Sequence, residues 1–149
     1  MLPKSGTIAL AAAADVALVL LFVAIGRRSH DEDGALLGFL TTAWPFVAGA
    51  AVGWLASLGW RRPLAVAPTG LVVWAGAVVL GMLFRMLSGQ GVQLSFVIVT
   101  ALVLAAFLLG WRAVALLVTR ISRRRSRRET AGAGRAGGTA GAGGVTGRS

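Results

Sequence analysis

Four apolar runs, 7–26, 36–59, 68–87 and 94–118, fill most of this 149-residue chain. A helix needs about 20 predominantly apolar residues to cross the hydrocarbon core of a bilayer, and each run is long enough. Only helices and closed barrels satisfy every backbone polar group in lipid, and runs of this length are helices. With 56% hydrophobic residues and a mean hydropathy of +0.79, a chain this short has more apolar surface than one soluble core can hide. The expected fold class is therefore all-α: a polytopic integral membrane protein with four transmembrane helices in a compact bundle. The organisation expected is a transmembrane domain over 1–119 and a cytoplasmic tail over 120–149. That tail is first basic and then Gly/Ala-rich, a composition that buries no core and reads as disordered.

The charge pattern orients the bundle. Lys4, Arg61, Arg62 and the arginines of 120–128 fall on one side of a four-span threading, leaving Arg27, Arg28 and Arg85 on the other. By the positive-inside rule, both termini and the loop 60–63 lie in the cytoplasm, with the chain in the inner (plasma) membrane. The first run has a rival reading as a signal peptide, with Lys4 before it and a small-residue site at Ala24-Ile25-Gly26. It is longer than an ordinary signal core and carries Asp15 at its middle, so an uncleaved helix is expected. The net charge of +10 sits mostly in one juxtamembrane run, a pattern that does not suggest nucleic acid. There is no cysteine, which removes disulfides, thiolate metal sites and cysteine nucleophiles.

Small and special residues mark the expected packing. Asp33 is placed to cap the second helix. Within that helix Pro45, beside Trp44, cannot donate to the carbonyl of Thr41, so a kink is expected there with the Thr41 or Thr42 hydroxyl available to help. Gly49 and Gly53 form a GxxxG pair suited to close helix contact, and similar pairs occur at Ala77/Gly81, Ala101/Ala105 and Ala106/Gly110. The short loops at 60–63 and 88–93 make successive helices antiparallel neighbours. Trp60 and Trp111 are expected at the cytoplasmic interface, with Trp44, Trp54 and Trp74 packed between helices.

Asp15 is the sharpest chemical feature. It sits about 12 Å along its helix from the cytoplasmic end, at 1.5 Å per residue. A carboxylate at that depth has to be matched by a proton, a cation or a polar group, and is a functional candidate by default. A proton or cation site and a hydrogen bond that fixes helix packing are both open readings. Arg112 is the better placed partner; Arg85 lies roughly 13 Å higher by the same rise, too far for easy pairing. Snorkelling to the nearest interface is the ordinary fate of either arginine.

In the outer loop, Arg27, His30 and Asp31 belong to a charged cluster with no metal-ligand spacing, and a solvated, charge-balanced hairpin accounts for it. The run Arg123, Arg124, Arg125, Arg127 and Arg128 is suited to anionic lipid headgroups at the cytoplasmic face, and Ser126 within it to phosphorylation. The plain account of the run is a topology signal. No catalytic constellation, metal site or cofactor motif is present, so an enzyme is not expected.

Several short patterns resemble one family. They are ADVALVLLFVAIGRRSH from Ala14, TAWPF from Thr42, GMLFR ending at Arg85, Ser95-Phe96, and GWR from Gly110 to Arg112. Together they resemble domain-of-unknown-function family 3054, small bacterial membrane proteins, over residues 7–113. The resemblance implies a four-helix membrane domain without an assigned activity. It also implies that Asp15, Arg27, His30, Trp44, Pro45, Arg85, Trp111 and Arg112 belong to the family pattern. The leading expectation is a structural or accessory membrane protein, self-associating through its Gly and Ala faces. The alternative is a small transporter or channel subunit that moves a proton, cation or small solute with Asp15 as its intramembrane site.

Overall fold

The computed structural model describes residues 5–27 and 35–139, with side chains over 5–27, 36–122 and at 124. Among the described residues all regular structure is helical. The spans are α1 (Ser5–Arg27), α2 (Ala35–Ala56), α3 (Val66–Leu87) and α4 (Leu94–Thr139). All four are long and apolar enough to cross a membrane. The chain falls into two units, 1–114 and 115–149. The first holds α1 to α3 and the start of α4; the second holds the remainder of α4.

Successive spans run antiparallel, as their side-chain bonds show. The end of α1 meets the start of α2 through Arg27 and Thr42, and the middle of α1 meets the far part of α2 through Asp15 and Trp54. The α3–α4 turn returns to the start of α2 through Gln90 and Thr41. Farther along, Arg112 of α4 reaches back to Pro63, just before α3.

Large apolar side chains point outward on every span, among them Leu10, Leu37, Leu83 and Leu102. The buried core is smaller in its side chains: Val19, Val23, Ala43, Ala50, Val73 and Ala77 surround Phe22 and Phe46. This distribution suits a bilayer, because the exterior loses nothing by contact with lipid and small interior residues bring backbones together.

Two modes of packing hold the bundle. Between α2 and α3 the backbones touch. A Cβ on Gly49 would collide with the Gly76 carbonyl oxygen, and one on Gly76 would come within 2.6 Å of the Gly49 oxygen. A Cβ on Gly53 would lie 2.7 Å from Val73 Cα. At this crossing α3 widens into a π turn over Gly76–Leu80, so that glycine and a locally altered helix coincide. The fourth span stands farther off and is bridged by large side chains. The Trp74 indole donates to the Ala101 carbonyl at 2.9 Å, and Leu104, Leu108 and Arg112 are wholly buried.

Some boundaries differ from those expected. α2 closes at Ala56, short of 59: Leu58 turns left-handed at φ 48°, and a 3-10 turn follows over Gly59–Arg61. Gly59 is buried against the face of Trp54, leaving no room there for a side chain. α4 does not stop at 118; its backbone stays helical to Thr139. Extending an existing helix fixes one residue per new hydrogen bond, and the arginines of 120–128 are favourable guests, although the four glycines of 131–139 are not. Residues 140–149 lie outside those described, as does Asp33 with its expected cap.

Candidate functional site

Asp15 occupies the third turn of α1 and is 1% exposed. Its carboxylate receives four hydrogen bonds. Arg112 donates two in a bidentate fork, Nη1 to Oδ1 at 2.7 Å and Nη2 to Oδ2 at 2.5 Å. Trp111 Nε1 adds a bond to Oδ1 at 2.9 Å, and Trp54 Nε1 one to Oδ2 at 2.8 Å. The guanidinium is satisfied in turn: Nε donates to the Pro63 carbonyl at 3.2 Å, and Nη1 also to that of Leu108 at 2.9 Å. Arg112 is fully buried, with its guanidinium carbon 4.9 Å from the Trp111 ring. A planar fork against a carboxylate is the strongest geometry available to a charged pair.

Glycines make room for this cluster. At Gly70 a Cβ would sit 2.9 Å from Arg112 Cδ, so the missing side chain lets the arginine stem lie along α3. Gly59 clears the face of Trp54 in the same way. Trp111, expected at the membrane interface, turns inward instead, because the buried carboxylate gives its N–H an acceptor that hydrocarbon cannot. A second sequence signal existed for Trp54: an indole N–H within a span needs an acceptor, and Asp15 is the acidic residue of the apolar runs.

The other end of the unit is built differently. Arg85 lies in the last turns of α3, apart from Asp15, and no carboxylate partners it among the described residues. Its Nη1 donates to the neutral Gln90 Oε1 at 2.9 Å, while its buried Nε has no hydrogen-bond partner among the described residues. The guanidinium carbon instead lies 4.8 Å from the Phe96 ring centroid and 5.9 Å from that of Phe46. Cation–π contacts of this kind stabilise by about 0.5–1 kcal/mol at exposed sites and about 2 kcal/mol when desolvated, and Arg85, half-buried, falls between.

Arg85, Arg27, Thr42, Gln90, Phe22 and Phe96 line a cavity of about 500 Å³. Arg27 Nη1 donates to Thr42 Oγ1 at 3.3 Å. Its guanidinium lies over Gly38, where a Cβ would come within 2.6 Å of Nη2.

Pro45 sits inside α2, and the orphaned carbonyl of Thr41 is met from outside the helix. Gln90 Nε2 donates to it at 3.0 Å. The threonine hydroxyls, expected to help there, donate one turn back, Thr41 to Leu37 and Thr42 to Gly38. Gln90 thus ties the proline site of α2 to Arg85. Trp44, expected between helices, is 46% exposed and stacks on Phe84 with centroids 5.9 Å apart.

Of the other expected positions, His30 and Asp31 lie outside the described residues. So do the side chains of Arg123, Arg125, Arg127 and Arg128; Arg124 is exposed. Among the described residues no group of three or more His, Cys, Asp or Glu is placed to hold a metal.

No curated protein and no solved structure matches the chain. One family does, over residues 12–115, a stretch that takes in the Asp15–Arg112 pair and the Arg85 cavity and ends beside the boundary between the two units. The chain belongs to that family, the proteins of unknown function DUF3054.

Proposed function

We propose that this is a structural or accessory protein of the plasma membrane, with both termini cytoplasmic, and that the Asp15–Arg112 pair is its internal brace. The observation that carries the structural reading is the saturation of Asp15: four donors from two helices occupy both of its oxygens. A carboxylate held in this way has no coordination left for a passing ion, and releasing it would strand a buried guanidinium.

Self-association draws on what the fold leaves over. Gly49, Gly53, Ala77 and Gly81 are used within the chain. Ala106 is exposed, and no heavy atom lies within 4 Å of a Cβ position on Gly110, so this pair on α4 is open to a second copy or a partner helix.

Reconstitution tests the reading. Proteoliposomes of wild type are expected to show no proton or cation flux, with Asp15→Asn melting at a lower temperature in detergent. A wild-type flux that vanishes in an equally stable Asp15→Asn variant overturns it.

A further inference from the structure

We propose that the cavity at the α3–α4 turn is a binding site for an oxyanion, a carboxylate or phosphate group, with Arg85 as its charge anchor. The inference is independent of the role given to Asp15.

The first argument is electrostatic. Arg85 places a full positive charge on a cavity wall inside an apolar bundle, met among the described residues only by aromatic faces and one neutral amide oxygen. Its Nε–H is buried and has no hydrogen-bond partner among the described residues. Arg112 shows what this fold does when it neutralises an arginine internally: a carboxylate and two backbone carbonyls accept from all three of its nitrogens. At Arg85 that shell is incomplete among the described residues, with one amide oxygen in place of a carboxylate. Arg85 is half-buried, and a partly desolvated cation without a carboxylate among the described residues is best matched by an anion.

Composition of the wall identifies the class of ligand. The donor on the wall is the Arg85 guanidinium: both N–H groups of the Gln90 amide are spent on the Thr41 carbonyl and the Ser88 hydroxyl, and the Arg27 guanidinium is held by Thr42. Guanidinium groups present paired N–H donors that fit the oxygens of carboxylate and phosphate. Arg27 has contacts of its own, and the assignment does not depend on its being available.

The rings of Phe22 and Phe96 also line it, Phe96 directly beside the Arg85 guanidinium, and the lining continues to Val99, which is 54% exposed. Gly26, across from it on α1, is exposed too. The lining therefore reaches the surface both at Val99 and Gly26 and at Gly91 and Gln93 of the turn, and α4, bridged by side chains rather than packed backbone to backbone, leaves width beside it. A volume of about 500 Å³ holds a small headgroup with several methylenes. This shape suits an oxyanion carried on an apolar chain; a free oxyanion shares the same anchoring chemistry.

The test is native mass spectrometry of the full chain from mild detergent, titrated with phosphatidylglycerol and separately with phosphatidylcholine. Thermal melting with inorganic phosphate runs in parallel. A variant with Arg123, Arg124, Arg125, Arg127 and Arg128 all changed to Gln removes the contribution of the basic segment. A phosphatidylglycerol adduct that survives those changes, exceeds the phosphatidylcholine adduct, and weakens at least tenfold in Arg85→Gln supports the proposal with a lipid source. Protection by inorganic phosphate that is lost in Arg85→Gln supports it with a free anion source. Equal adducts for the two lipids with no phosphate effect, or anion effects unchanged in Arg85→Gln, overturn it. Should Arg85→Gln fail to fold, Arg85→Lys and Val99→Trp decide. The first is expected to keep the anion effect in weakened form and the second to exclude the lipid; an adduct untouched by Val99→Trp and by Arg85→Lys removes the site.

Discussion

Arg112 and Arg85 lie in the same bundle and meet opposite treatment. Around Arg112 the protein supplies a carboxylate, two carbonyls and an aromatic face, and glycine clears space for the stem. Around Arg85 it supplies two aromatic faces, one amide and a cavity. A span can thus accommodate a guanidinium either by closing a network around it or by leaving it a chamber. The closed version makes the charge part of the scaffold, whereas the open version leaves it able to meet something else.

The contrast can be broken most forcefully at Asp15. Asp15→Asn leaves Arg112 buried against a neutral amide and is expected to cost about 3–5 kcal/mol, read as loss of detergent stability or of folded yield. The double variant Asp15→Asn with Arg112→Gln should recover part of that loss, since no charge is then stranded. Next come the indoles. Trp54→Phe and Trp111→Phe each remove one bond to a charged acceptor, with an expected cost of about 1.5–3 kcal/mol apiece by denaturant or thermal unfolding. At the α2–α3 crossing, Gly49→Ala forces a methyl against the Gly76 carbonyl, and about 1–3 kcal/mol of overpacking is expected, measured in the same assay. The smallest effect belongs to Arg85→Gln, which breaks no ion pair among the described residues and should cost about 1–2 kcal/mol, the scale of a partly desolvated cation–π contact. A melting loss at Arg85 as large as that at Asp15 would erase the distinction between the two ends.

The four spans and their order were legible because length and hydropathy respond directly to bilayer thickness. The candidacy of Asp15 followed from the same logic, since a carboxylate in a span needs a partner and Arg112 lies near enough in depth. What sequence could not supply was rotation about the helix axes. The inward turn of Trp111, the meeting of Trp54 with Asp15, and Gly76 as the partner of Gly49 all depend on which way each helix faces. The π turn over Gly76–Leu80 changes the phase of α3 partway along. No apolar periodicity reports it, because all faces of these helices are apolar. Gln90 illustrates a further limit: a glutamine in a short turn gave no hint that it would satisfy the Thr41 carbonyl freed by Pro45, 49 residues earlier.

The distance along the chain between the members of the brace bears on how the protein is made. Asp15 and Arg112 are 97 residues apart, so at ribosomal speed the carboxylate is synthesised on the order of ten seconds ahead of its guanidinium. Trp54 arrives partway through that interval and supplies a first donor. Until the last span is threaded, the growing chain carries an acid whose strongest partner does not yet exist. A polypeptide cut short before α4 would keep that mismatch permanently, with a carboxylate inside a span and no guanidinium to meet it.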